Sequence, residues 1–186
     1  RQRQMCIRDS SGTIFDPEGL DLSIMVQLFK ESKPIRFYPA DSLHNGGYLL
    51  DLQEKKEASA YSTQTLLYKK EKNGLQKHWI SGNEMNQLFR NSLHKAKADV
   101  FIPAGGRPRT LHEKNWSDFL DNHGVPTSKI IIEGANLYLT TEARDALEKL
   151  GVLIIKDSSA NKCGVICSSF EAVSYTHLRA HETRHD

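Results

Sequence analysis

The sequence predicts an α/β fold: a doubly wound, mostly parallel sheet interrupted by one hairpin-bearing insertion. Three observations carry this expectation. Strand-like and helix-like segments alternate along the chain, and alternating units imply a parallel sheet with right-handed crossovers. The strand candidates are short, apolar and β-branched, as strands covered on both faces are. Three of them run directly into loops of small and amide residues, which is how open α/β sheets build ligand crevices.

The elements follow in order. Asp21 is placed to cap a helix carrying Ile24, Met25, Leu28 and Phe29 on one side and ending before Pro34. Ile35–Tyr38 reads as a short strand. Asn83 is the expected cap of a second helix, with Met85, Leu88, Phe89, Leu93 and Ala96 at helical spacing. Val100–Ile102 is a strand stopped by Pro103. His112–Asn122 reads as helical with Trp116, Phe119 and Leu120 inward. Lys129–Glu133 is a strand, Thr141–Leu150 a helix, and Val152–Ile155 a further strand. Residues 44–82 break the rhythm, with turn signals at Asn45-Gly46 and Asn73-Gly74 around the alternating piece Tyr48–Leu52. Tyr48, Leu49, Leu50, Tyr61, Leu66, Leu67, Tyr68, Trp79 and Ile80 need burial there. The stretch reads as a peripheral insertion without chemistry.

Composition shifts at both ends. Five of the ten arginines lie in the first eight and last eight residues, and His177, His181 and His185 crowd the C-terminus. Their i, i+4, i+8 spacing could be taken for a metal-binding helix face. However, residues 3–10 and 173–183 resemble translated sequencing-adapter read-through at the ends of environmental (metagenomic) DNA fragments. The expectation is therefore that residues 1–10 and 173–186 are non-native and that 11–172 are the native part of a fragment. Five basic and three acidic residues fall in those ends, so 25 basic and 23 acidic residues become 20 of each. A neutral middle gives no electrostatic case for nucleic acid. No apolar run approaches the roughly 20 residues that span a bilayer. Cys163 and Cys167, four apart with no nearby partners, make a poor zinc site, so no metal is expected.

The chemistry gathers after three strands. Val100–Ile102 leads into Pro103-Ala-Gly-Gly-Arg-Pro-Arg109, Ile130–Ile132 into Glu133-Gly-Ala-Asn-Leu137, and Val152–Ile155 into Asp157-Ser-Ser-Ala-Asn161. In a parallel sheet these loops share the carboxyl rim, where ligands bind. Small residues let backbone approach a flat ligand, and amides supply donors and acceptors without charge. A helix starting near Asn161 would place Asn161, Gly164 and Ser168 on one face. The plainer alternative is a small-residue packing surface with a capped helix. Gly134 can equally be a turn glycine, Arg107 and Arg109 read as solvated, and Asp157 either caps its turn or touches a ribose.

The three loops in this order, with Cys163-Gly-Val-Ile-Cys-Ser-Ser-Phe-Glu171 and the upstream Ser11-Gly-Thr-Ile-Phe-Asp-Pro-Glu-Gly-Leu-Asp21, resemble the Rossmann-type nucleotide-binding domain of glutamate dehydrogenases, most of all the large NAD-specific type. The resemblance covers essentially all of residues 11–171, weakest across the insertion. It implies a cytoplasmic, homo-oligomeric oxidoreductase of amino-acid metabolism that converts L-glutamate to 2-oxoglutarate and ammonia, with NAD as cofactor. It sets Ala104 and Gly105 against the adenosine and ribose portion of NAD, and Gly134 and Ala135 in the loop that also seats the cofactor. Asn136 and Asn161 would face the nicotinamide ribose and carboxamide, and Ser168 would donate to the distal carboxylate of glutamate. The family's G-x-G-x-x-G/A phosphate loop and its catalytic lysine and aspartate belong upstream of Ser11, so no catalytic residue is assigned here and the fragment is expected to be inactive. Asp9 holds the position of the acid that binds ribose hydroxyls and favours NAD. Two rivals remain: a dehydrogenase of leucine or phenylalanine, and a non-catalytic nucleotide-binding module.

Overall fold

The computed structural model describes residues 4–59, 62–105 and 107–182, with side chains described except at 59, 91–93, 163–165 and 176–182. The burial expected of Tyr61 and Leu93, and the faces assigned to Cys163, Gly164, His177, His181 and His185, lie outside the described residues. The chain forms an α/β structure of two compact units, Arg1–Ala98 with Asp118–His123, and Asp99–Ser117 with Gly124–Asp186.

The first unit is built on an antiparallel sheet in the order β1 (Cys6–Asp9), β2 (Gly12–Phe15), β3 (Tyr48–Ser59), β4 (Ser62–Glu71), β5 (Gly74–Ile80). β1 and β2 close on a tight hairpin pairing Asp9 with Gly12, and β2 pairs with β3 through Gly12 and Asp51. Gly12 has to be glycine: a Cβ there would stand 1.9 Å from the Leu50 carbonyl oxygen. The stretch 44–82 does carry hairpins, with Glu71 opposite Gly74 at the β4–β5 turn. It is not peripheral, however. β3 lies directly beside β2, and Leu49, Leu50, Leu66 and Leu67 are buried. The length of β3 and β4 explains this, because a pair of 12 and 10 residues with an apolar middle must cover a face rather than hang from a surface. Trp79, expected inside, is 38% exposed.

Helix α1 (Leu22–Lys30) starts at Asp21 as expected, the carboxylate accepting from the Ser23 and Ile24 amides. Leu28 is buried with Ile14, Ile35, Tyr38 and Leu43, while Phe29 points away, 84% exposed. Ile35–Tyr38 is no strand; Ile35–Phe37 is a 3₁₀ turn. Its amides are engaged locally, Ile35 N–H donating to the Asp9 carboxylate at 3.0 Å and Tyr38 N–H to the Ile35 carbonyl. The Arg36 guanidinium donates from Nε to both Asp51 oxygens at 3.1 Å, which holds the turn against β3. Helix α2 (Gly82–Lys95) is capped by Ser81, not Asn83. Ser81 and Glu84 form a reciprocal capping box, each side chain accepting from the other's amide.

The second unit holds β6 (Ala98–Phe101), β7 (Ser128–Ile132) and β8 (Leu153–Ile155) in that order, with β7 and β8 parallel and Ile130–Ile132 opposite Leu153–Ile155. The parallel arrangement thus holds here and not in the first unit, whose sheet is antiparallel. The strands are not covered on both faces: Leu153 is 59% exposed and Val100 37%. The expected helix over 112–122 contracts to a 3₁₀ turn at Trp116–Phe119. The Asn115 side chain explains the break, accepting from the His112 amide and donating to the Thr110 carbonyl, an Asx-type alternative to helical bonding. Phe119, which groups with the first unit, is buried, with Trp116 and Leu120 half-buried. Helix α3 (Thr141–Lys149), capped by Thr140, buries Ala143 and Leu147. Leu111, Ile131, Tyr138, Leu139 and Val152 are the further buried apolar residues of the second unit, the rings of Tyr138 and Phe101 lying 6.0 Å apart. A short α4 (Asp157–Ala160) precedes α5 (Cys163–Glu182). No described helix is long and apolar enough to cross a membrane.

Candidate functional site

The three loops that leave β6, β7 and β8 meet. The Ala135 amide donates to the Pro103 carbonyl at 2.6 Å, joining the first loop to the second. Gly134 faces the same contact, its Cβ position lying 3.5 Å from the Pro103 oxygen and the Ala104 Cα. The second loop is joined to the third twice over. The Asn161 side-chain amide donates to the Asn136 Oδ1, and the Leu137 amide donates to Asp157 Oδ2 at 2.8 Å. Asn136 and Asn161, both exposed, therefore stand side by side, as do Ala104 and Gly134.

The Asn136 loop is locked from beneath. Leu137 has a left-handed backbone, φ 53°, which an L-residue holds only when its surroundings over-determine it. Its carbonyl accepts from the Arg109 amide at 2.7 Å, and Arg109 is itself left-handed at φ 58°. Leu111 N–H donates to the Tyr138 carbonyl, and Thr140 N–H returns to the Leu111 carbonyl. Below these sits Glu133, fully buried, whose Oε1 accepts from the Leu139 amide at 2.9 Å and whose Oε2 accepts from Arg144 at 3.0 Å. The Glu133–Arg144 pair was not singled out from the sequence. The signal was present: a carboxylate that ends the run Ile130-Ile-Ile132 must either face water or find a cation.

The remaining site residues are placed as follows. Ala104 and Gly105 are exposed, with nothing within 4 Å of a Cβ at Gly105. Gly134 is not a turn glycine, since it has no left-handed φ and a Cβ there would make only ordinary contacts. Asn161 is not the first residue of a long helix. It is the C-cap of α4, and α5 begins at Cys163, so the face expected to join Asn161 to Ser168 is broken between two helices. The break lies in the backbone of Asn161 itself, at φ −110° and ψ 7°, outside the helical range. Ser168 is exposed on α5. Arg107 and Arg109 are exposed, as expected.

Asp157 is the first residue of α4, and its carboxylate clamps the β7 loop instead of capping the helix, whose N-cap is Lys156. The Asp157 carboxylate lies below the usual range, first because the Leu137 amide donates to it and further because of the Ser158 amide and the charges of Arg144 and Lys156; desolvation opposes this. In the first unit, Asp9 is committed to the hairpin turn. Its Oδ1 accepts from the Ser11 amide at 2.7 Å, the Ser11 hydroxyl at 2.6 Å and the Gly12 amide at 3.2 Å. Its other oxygen holds Ile35, so the carboxylate serves as a turn cap instead of an open ribose ligand. Among the described residues, no cluster of His, Cys, Asp and Glu is disposed to hold a metal ion.

A family model described as glutamate/leucine/phenylalanine/valine dehydrogenase matches residues 2–184. The chain is 36% identical to a probable NAD-specific glutamate dehydrogenase of Schizosaccharomyces pombe, over 93% of this chain and 14% of that protein. It is 31% identical to the NAD-specific glutamate dehydrogenase of Saccharomyces cerevisiae, over 97% of this chain and 16% of that protein. A glutamate dehydrogenase of Thermotoga maritima is 25% identical over 91% of this chain and 28% of its own length. The chain thus spans about one seventh of the large curated relatives it matches.

Proposed function

Since the chain belongs to the glutamate/leucine/phenylalanine/valine dehydrogenase family, we propose that it is a segment of a large NAD-specific glutamate dehydrogenase and forms part of the seat for NAD. The parent enzyme oxidises L-glutamate to 2-oxoglutarate and ammonia. The β6–β7–β8 layer is its share of a doubly wound sheet, and its rim faces the cofactor.

The observation that carries the reading is the Asn136–Asn161 amide pair at the meeting of the three loops. One hydrogen bond joins the two carboxamides. Both residues are exposed, so the Asn136 Nδ2 and the Asn161 Oδ1 offer a ligand a donor and an acceptor, which is what one bearing both an amide and hydroxyls requires. Ala104, Gly105, Gly134 and Ala135 keep side-chain bulk away from the rim so that a flat ring can approach the backbone. Gly134 supports this, because it has no left-handed φ and a Cβ there would make only ordinary contacts with Pro103 and Ala104. The residues present therefore fit a dinucleotide. When bound, NAD supplies the hydride acceptor, a capacity no side chain has. The part of this chain is to orient that group: Asn136 and Asn161 hold it by its polar edge, and Ser168 donates to the second carboxylate of the substrate. Preference for NAD rests on the named relatives and not on Asp9, whose carboxylate is engaged.

A serine hydroxyl on α5 favours glutamate over leucine or phenylalanine, whose side chains offer it no acceptor. Within residues 1–186 no G-x-G-x-x-G string occurs, so NAD binds this chain weakly and glutamate is not turned over. The test is a titration of the ¹⁵N-labelled chain with NAD, followed through the amide signals of the three loops. Millimolar binding with shifts at Ala104, Asn136 and Asn161, weakened about tenfold in N136A, is expected. Shifts confined elsewhere, or an N136A chain that binds NAD as well as the parent chain, would refute the reading.

A further inference from the structure

We infer that Asp157 is a positioning residue: it fixes the Asn136 carboxamide by clamping the next peptide, and so controls cofactor binding through a side chain it does not itself touch. The inference rests on the proposed role of Asn136 and deepens it.

The geometry is specific. Asp157 and Asn161 stand one turn apart on the same short element, the Asn161 amide closing on the Asp157 carbonyl at 2.9 Å. Both reach across to adjacent residues of the β7 loop, Asn161 to the side chain of Asn136 and Asp157 to the main chain of Leu137. The Leu137 peptide is strained into the left-handed region, and it is held from two directions, its N–H by Asp157 and its carbonyl by the Arg109 amide. Release of the first anchor lets φ of Leu137 relax toward the ordinary range. Because residues 136 and 137 share a peptide plane, the Asn136 side chain would swing with it. Glu133 makes the same kind of bond two residues further on, accepting from the Leu139 amide. Arg144 pairs directly with Glu133, and its charge also reaches Asp157. Two carboxylates, Asp157 and Glu133, thus hold alternate amides, those of Leu137 and Leu139, in the loop that carries the exposed Asn136. Each Asp157 carboxylate oxygen already accepts a main-chain amide, from Leu137 at 2.8 Å and Ser158 at 2.6 Å, which ties the side chain to the two loops.

A purely structural role for Asp157 and the positioning role differ in one measurable respect. If Asp157 acts through Asn136, its effect must disappear when Asn136 is gone. The experiment is a double-mutant cycle on the full 186-residue chain, with NAD as the probe and loop amide shifts as the readout. D157A should weaken NAD about tenfold, as N136A does, and the double variant should be no weaker than N136A alone. D157N, which keeps one acceptor oxygen and nearly the same shape, should recover part of the loss and should move the Leu137 amide signal upfield even without NAD. If N136A weakens NAD while D157A and D157N do not, the positioning role is wrong and the NAD seat stands. If the losses from D157A and N136A multiply in the double variant, Asp157 acts independently and the inference fails. If N136A leaves NAD affinity unchanged, the reading of the site falls and the inference with it.

Discussion

Acid should unfold the first unit through one histidine. His94, near the end of α2, is 2% exposed and faces the ring of Phe119 at 6.3 Å. Burial, and to a lesser degree the charge of Arg8, hold its pKa down, from 6.5 to about 4. The folded state therefore keeps His94 neutral where the unfolded chain would protonate it. Above pH 6.5 both states are neutral and the group has no effect on stability; below it the unfolded state gains a proton the folded state refuses. By linkage the loss is about 1 kcal/mol near pH 5.5, about 2–3 kcal/mol near pH 4.5, and it levels off below about pH 4. A typical domain holds only about 5–15 kcal/mol in all, so this one group matters. The assay is urea unfolding across that range for the parent chain and for H94Q, which cannot titrate there. The variant's curve should be shallower by the amounts given, whatever its stability at neutral pH. The ring proton of His94, identified by its absence in H94Q, should titrate near 4 in the folded chain. A ring that titrates near 6.5, or identical pH slopes for the two proteins, would refute the argument from burial.

Four further outcomes are expected. G12A should cost about 3 kcal/mol or more, since β2 and β3 must part to admit a methyl now 1.9 Å from a carbonyl oxygen; a urea midpoint within error of the parent would show that the strands can yield. L147A removes a fully buried side chain of α3 and should cost about 2–5 kcal/mol by the same measurement. E133Q removes the carboxylate that pairs directly with Arg144 while keeping an oxygen for the Leu139 amide, so stability should fall by about 3 kcal/mol, and pairing it with R144M should recover most of that. Because Asp157 is held below its ordinary value of 3.8, its bond to Leu137 is fully present above that pH and is lost only as pH falls below it; the Leu137 amide shift should be flat from neutral pH to about 4 and move beneath. Movement near pH 5 would contradict this.

The parts of the fold legible in the sequence were those where local chemistry and tertiary context agree. Asp21 caps α1 because its carboxylate has the amides of Ser23 and Ile24 in reach, a purely local arrangement. The loops after β6, β7 and β8 were found because small and amide residues directly follow β-branched runs, and the structure brings Ala104, Gly134, Asn136 and Asn161 together. Ile35–Tyr38 misled because β-propensity records a taste for half-buried surface. Ile35 and Tyr38 obtain that burial in a 3₁₀ turn whose first amide is taken by Asp9, a residue 26 positions away and invisible to local pattern. Asn83 lost to Ser81 because the capping box needs Glu84 three residues on, a spacing that could have been read. The helix expected near Asn161 begins two residues later, at Cys163, and Asn161 is left off its face because it ends the separate turn α4. The Glu133–Arg144 pair and the Asp157–Leu137 clamp were the least legible part, since their members lie on different elements and meet only once the loops are folded.

The order β6–β7–β8 has a practical consequence. Among the described residues β7 is flanked on both sides, whereas each outer strand turns a row of backbone donors and acceptors outward. On β8 that row runs beside Leu153 and Ile155, 59% and 39% exposed. Such a margin is a template on which a second chain can add its own strand, and proteins normally blunt it with charge or cover. Handled by itself, this polypeptide should self-associate as its concentration rises, and L153K, which sets a cation on the sticky margin, should keep it dispersed. A purification that begins with that substitution leaves Asn136, Asp157 and Asn161 untouched.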